Sequence, residues 1–139
     1  MFFESTFQSC AFYTGTNALI MLILSVLVVR ARVTTQTAIG DGNNPLMAGP
    51  LRAHGNNTEY VPVALMLMWA LLPFDGSIWL VHGVGLPLTI GRILHAMGLS
   101  GTTGSSTPRL VGMMLTWIAY IVGIVGLFYV TFIPPMMAS

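Results

Sequence analysis

The residues best able to do chemistry are concentrated in one short segment, Arg52-Ala53-His54-Gly55-Asn56-Asn57-Thr58-Glu59-Tyr60-Val61-Pro62. At about 100° per residue on a helix, Arg52, Asn56 and Glu59 (i, i+4, i+7) share a stripe roughly 60° wide, while His54 points to the far side. A face carrying a cation, an amide and a carboxylate cannot contact hydrocarbon. If the helix lies in a membrane, the stripe must look into a bundle interior or a water-accessible cleft, where ionisable groups find partners. Arg92 and His95 form a similar i, i+3 pair, and Arg109 follows a Gly/Ser/Thr-rich stretch. Glu59 and Arg92 come to comparable depth if the two segments are antiparallel helices, so an internal Glu59–Arg92 ion pair is expected. Arg30 and Arg32 close the first apolar run. Four segments thus deliver cations to one layer, and each desolvated charge is a liability unless something in that layer uses it.

The elements that must position these groups follow from composition. Of 139 residues 55% are hydrophobic and only 6% are charged, and the mean hydropathy is +0.81. A soluble domain normally carries about 25% charged residues, so an integral membrane protein is indicated. All five cations are Arg, the formal net charge is +1, and there is no Lys; nothing points to nucleic acid as a partner. One cysteine, Cys10, excludes an intrachain disulfide framework, and no metal-ligand spacing is present. Crossing the hydrocarbon takes roughly 20 residues. Four uncharged runs approach this length: Ala11 to Val29, Tyr60 to Phe74, Ile78 to Ile90, and Leu110 to Ile133. The second and third are short and must be extended through polar residues. A single all-α domain covering residues 1–139 is expected, an integral membrane four-helix bundle with spans at about 8–31, 50–73, 77–98 and 108–133. The intervening segments are Val33 to Pro50, a turn around Pro73, Asp75 and Gly76, and Gly98 to Pro108. They carry turn chemistry, and Pro134 and Pro135 stop the last helix. Pro62 leaves the Thr58 carbonyl without its helical donor, so a bend is expected there. The arginines fall at one set of helix ends, which places that side in the cytoplasm and both termini, with Glu4 and Asp75, on the other.

These segments resemble a known family, the membrane-associated proteins in eicosanoid and glutathione metabolism (MAPEG). The resemblance rests on the Arg52 to Pro62 motif, on Gly40-Asp41-Gly42-Asn43-Asn44-Pro45 before it, and on Gly91-Arg92-Ile93-Leu94-His95-Ala96-Met97-Gly98-Leu99-Ser100 after it. They look most like the small bacterial branch, similar to microsomal glutathione transferase. The resemblance implies a homotrimer in a bacterial inner membrane, with glutathione as co-substrate in clefts near the cytosolic face. It assigns glutathione binding to Arg52, Asn56, Glu59 and His95, with His54 adjacent and Arg32 as a contact from the first helix. Arg109 matches the arginine that stabilises the glutathione thiolate. His95 and Leu99 stand where synthase members carry tyrosines, a departure from the eicosanoid branch.

The chemistry suits that implication. Glutathione has two carboxylates and an ammonium, which call for Arg forks and a carboxylate such as Glu59. Its thiol, near pKa 8.5, is mostly protonated at neutral pH, and a neighbouring cation favours the thiolate. The expected activity is transfer of glutathione to lipophilic electrophiles arriving from the bilayer, or reduction of peroxides with it. Two alternatives stay open: a non-catalytic lipid-binding or scaffold member of the superfamily, and a small multidrug antiporter using Glu59. The arginine cluster opposes the antiporter, since it would repel cationic drugs.

Overall fold

A computed structural model describes residues 5–74, 77–101 and 106–133, without the side chains of residues 100 and 101. The features expected at Glu4, at Asp75 and Gly76, and at Pro134 and Pro135 lie outside the described residues. Four helices account for most of the chain: α1 (Thr6–Thr35), α2 (Pro45–Ala70), α3 (Ile78–Gly101) and α4 (Thr107–Phe132). A short 3-10 turn, Leu72–Phe74, follows α2.

Local chemistry sets the helix ends. The Ser5 hydroxyl accepts from the Gln8 amide at 3.1 Å and starts α1. At 30 residues α1 is roughly 45 Å long, more than a bilayer needs. It ends where Gln36 turns into the left-handed region and its amide returns to the Arg32 carbonyl. Helix α2 begins five residues before the span expected from hydropathy. The reason is capping: Pro45 occupies the first turn, where its missing N–H costs nothing, and the Asn44 side chain accepts from the Leu46 amide at 3.0 Å. From there α2 runs as one helix through Pro50 and Pro62.

Helices α1, α3 and α4 are long and apolar enough to cross a membrane. Helix α2 does not qualify by the same measure, because its first half carries Arg52, His54, Asn56, Asn57 and Glu59. It joins the bundle by packing against all three other helices. Cross-helix contacts set the directions. Trp69 Nε1 donates to Thr14 Oγ1 at 2.8 Å, and Asn57 meets Met21, so α1 and α2 are antiparallel. Tyr13 pairs with His82 and Asn17 with Thr89, both at 2.9 Å, so α1 and α3 run parallel. All five arginines consequently belong to one half of the bundle.

The α3–α4 interface is the most extensive, and small residues make it so. A Cβ added at Gly112 would lie 2.5 Å from the Gly91 carbonyl oxygen and 2.6 Å from the His95 nitrogen. One added at Gly98 would lie 2.6 Å from the Arg109 nitrogen. Backbone therefore touches backbone along this seam, which fixes His95 and Arg109 relative to each other.

The interior is stratified. In the half away from the arginines, Cys10, Tyr13, Val61, Ala64, Met68, Val81, Val84, Leu88 and Ala119 form an apolar core. A smaller cluster of Leu24, Ala53 and Leu99 lies in the other half. Buried polar side chains, among them Asn17, Asn57, Arg92, His95 and Thr116, are also enclosed by the bundle. The outer faces reverse the pattern of a soluble protein, exposing Leu22, Trp79, Ile121, Val125 and Phe128, as a lipid-facing surface should.

Candidate functional site

Helices α2, α3 and α4 enclose a cleft of about 270 Å³ lined by Leu51, Arg52, Gly55, Asn56, Glu59, His95, Leu99 and Arg109. The i, i+4, i+7 stripe on α2 supplies one wall, and its residues Arg52 and Glu59 remain exposed. His95 and Leu99, each 5% exposed, supply the α3 wall. Arg109 comes from the first turn of α4. A second cavity of about 450 Å³ shares Asn56, His95 and Arg109 and adds Ser106, Leu110 and Met113. A charged chamber and a more apolar one thus meet at three side chains. A larger groove of about 560 Å³ between α1 and α3 is lined by apolar residues such as Ile20, Leu24 and Ile93 and carries none of this chemistry.

Arg92 lies behind the cleft, 1% exposed. Its Nη1 donates to Asn56 Oδ1 at 2.6 Å and its Nη2 to Thr116 Oγ1 at 2.6 Å. Thr116 in turn donates to the Gly112 carbonyl at 2.9 Å. The Tyr60 ring lies 5.7 Å from the guanidinium carbon, within cation–π range. The expected Glu59–Arg92 ion pair is therefore corrected: both terminal nitrogens go to neutral partners, the Nε has no hydrogen-bond partner, and Glu59 stays on the cleft wall. The physical reason is a one-turn offset between helices, which puts Asn56 at the guanidinium's depth. The consequence for the site is useful. Asn56 Oδ1 is engaged from behind, so the Asn56 amide NH₂ is the group left to serve the cleft.

Of the residues expected at the site, Arg52, Asn56, Glu59, His95 and Arg109 are brought together. Arg32 and His54 are not among the residues lining either chamber. Arg32 Nη1 instead reaches the carbonyls of Thr37 at 3.1 Å, Ala38 at 3.0 Å and Gly40 at 3.3 Å, tying the α1–α2 loop to the end of α1. His54 lies two residues from Arg52 and Asn56, off the stripe. Sequence reasoning missed Thr116, Tyr60 and Ser106. Thr116 sits in an apolar helix with nothing to distinguish it. Tyr60 adjoins the motif and could have been weighed as a cation–π partner. His82 also acquires a role here, because its Nδ1 shares the 2.9 Å hydrogen bond with the Tyr13 hydroxyl.

An intramembrane cleft with two arginines on its walls, a third cation behind it and one carboxylate suits a predominantly anionic ligand that also carries an ammonium. The α-helical membrane architecture and this site agree with a family comparison in which the MAPEG family model matches residues 10–129. The chain belongs to the MAPEG family. Among its relatives is the inner membrane protein YecN of Escherichia coli strain K12, 35% identical over 109 residues, which cover 78% of this chain and 82% of YecN. The protein of the same name from Escherichia coli O6:H1 strain CFT073 gives the same identity and coverage. No solved structure matches the chain.

Proposed function

We propose that this protein is a membrane glutathione transferase-like enzyme, acting as a homotrimer in a bacterial inner membrane with its cleft toward the cytoplasm. The observation that carries the reading is the convergence of Arg52, Asn56, Glu59, His95 and Arg109 on one cleft, beside a cavity that shares three of these residues and adds the apolar Leu110 and Met113. Arg52 forks a glutathione carboxylate, Glu59 takes the ammonium, and the Asn56 amide donates to the peptide. Arg109, in the first turn of α4, stabilises the thiolate with its charge and with the positive end of the helix. A lipophilic electrophile, or a peroxide, enters beside Leu110 and Met113, and holding it against the sulfur supplies most of the acceleration.

The test combines binding and turnover on detergent-solubilised protein. Glutathione should raise the melting temperature as its concentration exceeds the dissociation constant. Thiolate absorbance should appear on binding, and a halonitroarene should be conjugated. Arg109→Ala should keep binding but lose both the thiolate signal and conjugation. Full turnover by Arg109→Ala overturns its role. No thermal shift with millimolar glutathione favours the non-catalytic scaffold, and proton-coupled drug uptake into proteoliposomes favours an antiporter.

A further inference from the structure

His95 combines three features. It is 5% exposed. It lines both the charged chamber and the adjoining one. Among the described residues its ring makes no hydrogen bond, whereas the similarly buried Arg92 on the preceding turn makes two at 2.6 Å. The buried side-chain atoms without a hydrogen-bond partner among the described residues are Asn17 Oδ1, Asn57 Oδ1 and Arg92 Nε, so the His95 ring nitrogens instead open to the cavities that the residue lines. The surrounding packing fixes the backbone that carries the ring. Helix α4 lies flush against its backbone, since a Cβ at Gly112 would meet the His95 nitrogen at 2.6 Å and its Cβ at 2.9 Å. The charged groups around it are Arg92 on α3, Arg109 on α4, and Arg52 and Glu59 across the cleft on α2.

Among the described residues, Asn56, His95 and Arg109 are common to both chambers. A thiol that loses its proton at their junction needs a base. Asn56 is an amide, and Arg109 is a guanidinium with no lone pair to offer. An imidazole is the one member of the set with a ring-nitrogen lone pair that can take up a proton and pass it on.

We infer that His95 is the proton acceptor when the bound thiol is activated, an inference that rests on the glutathione reading above. The S–H bond breaks, its electron pair stays on sulfur beside Arg109, and the proton passes to a ring nitrogen of His95. The positive charges of Arg92 and Arg109 repel that proton, which moves on to water at the polar mouth and restores the neutral ring. The net change is thiol plus water giving thiolate plus hydronium, with no oxidant or second reactant. His95 also touches the chamber that receives the electrophile, so it is a catalytic residue in this scheme and not only a positioning one.

The test uses His95→Gln, which keeps a neutral hydrogen-bonding side chain of similar reach but cannot carry a proton. His95→Asn serves as the second variant should Gln fail to fold. Glutathione affinity is measured by calorimetry, and thiolate formation by stopped-flow absorbance from pH 6 to 9. The expected result, read at saturating glutathione, is thiolate formation slowed about 100-fold, the usual scale of general-base assistance. The variant's rate should also rise in proportion to hydroxide where the parent's levels off. Added imidazole should recover part of the rate in His95→Ala. A variant that binds glutathione and forms thiolate at the parent rate and pH dependence overturns the inference alone. A parent protein that binds no glutathione overturns the functional reading beneath it.

Discussion

A membrane-buried arginine whose partners are neutral makes a prediction that separates two models of the bundle. Arg92 spends its terminal nitrogens on Asn56 and Thr116, both at 2.6 Å, and makes no bond to Glu59. A hydrogen bond from a charged group contributes about 1.5 to 3 kcal/mol. A double-mutant cycle between Arg92→Met and Asn56→Ala should therefore give a coupling of that size. The cycle between Arg92→Met and Glu59→Gln should be additive to within about 0.5 kcal/mol, as for groups that do not share an interaction. Were Glu59 the partner, removing either side would leave an uncompensated charge, and the single losses would reach about 3 to 5 kcal/mol. Equilibrium unfolding of the three single and two double variants in mixed detergent micelles measures both cycles. Coupling to Glu59 above about 1.5 kcal/mol, or none to Asn56, refutes the placement of Arg92. Arg92→Lys adds a geometric control: an ammonium keeps the charge but cannot fork between two helices, so it should recover only part of the lost stability.

Three further outcomes follow from the contacts. Gly112→Ala forces a Cβ to within 2.5 Å of the Gly91 carbonyl; backbone has no rotamer to yield, so destabilisation beyond the usual overpacking cost of about 1 to 3 kcal/mol is expected, and an unchanged melting temperature would contradict the seam. Arg32→Ala should raise hydrogen exchange in residues 36–44, because three loop carbonyls lose their donor, and should leave glutathione affinity intact; reduced affinity with unchanged exchange would instead put Arg32 at a ligand. Glu59→Gln should weaken glutathione binding about tenfold or more, the scale of losing one charge-assisted bond of at least 1.4 kcal/mol, with no loss of stability, and calorimetry beside a thermal melt would show otherwise if Glu59 were structural.

Much of the arrangement is legible from periodicity. Arg52, Asn56 and Glu59 share a face because 3.6 residues make a turn, whatever surrounds them, and that face does line the cleft. The short apolar runs in the second and third segments indicate that polar ends must be enclosed, and α2 is indeed too polar to qualify as a span by itself while packing against the other three helices. The start of α2 was readable too, since Asn44-Pro45 is a capping signature, but a hydropathy criterion looks past it. The less legible part is what faces what. Depth along a helix can be counted in residues, yet the relative shift of two helices depends on how closely their backbones approach. At Gly91, Gly98 and Gly112 that approach is a matter of ångströms.

Charge, hydropathy and helical period by themselves determine that the chain is a membrane helix bundle with its cations gathered in one layer, because burying a charge in lipid is too costly to be hidden by context. The tertiary structure decides which of those cations serve the cleft. Arg52 and Arg109 line it, Arg92 braces Asn56 from behind, and Arg32 ties down a loop. A shift of one helical turn between α2 and α3, which brings Asn56 and not Glu59 to the Arg92 guanidinium, decides the role of Arg92, and no residue's own identity records that shift.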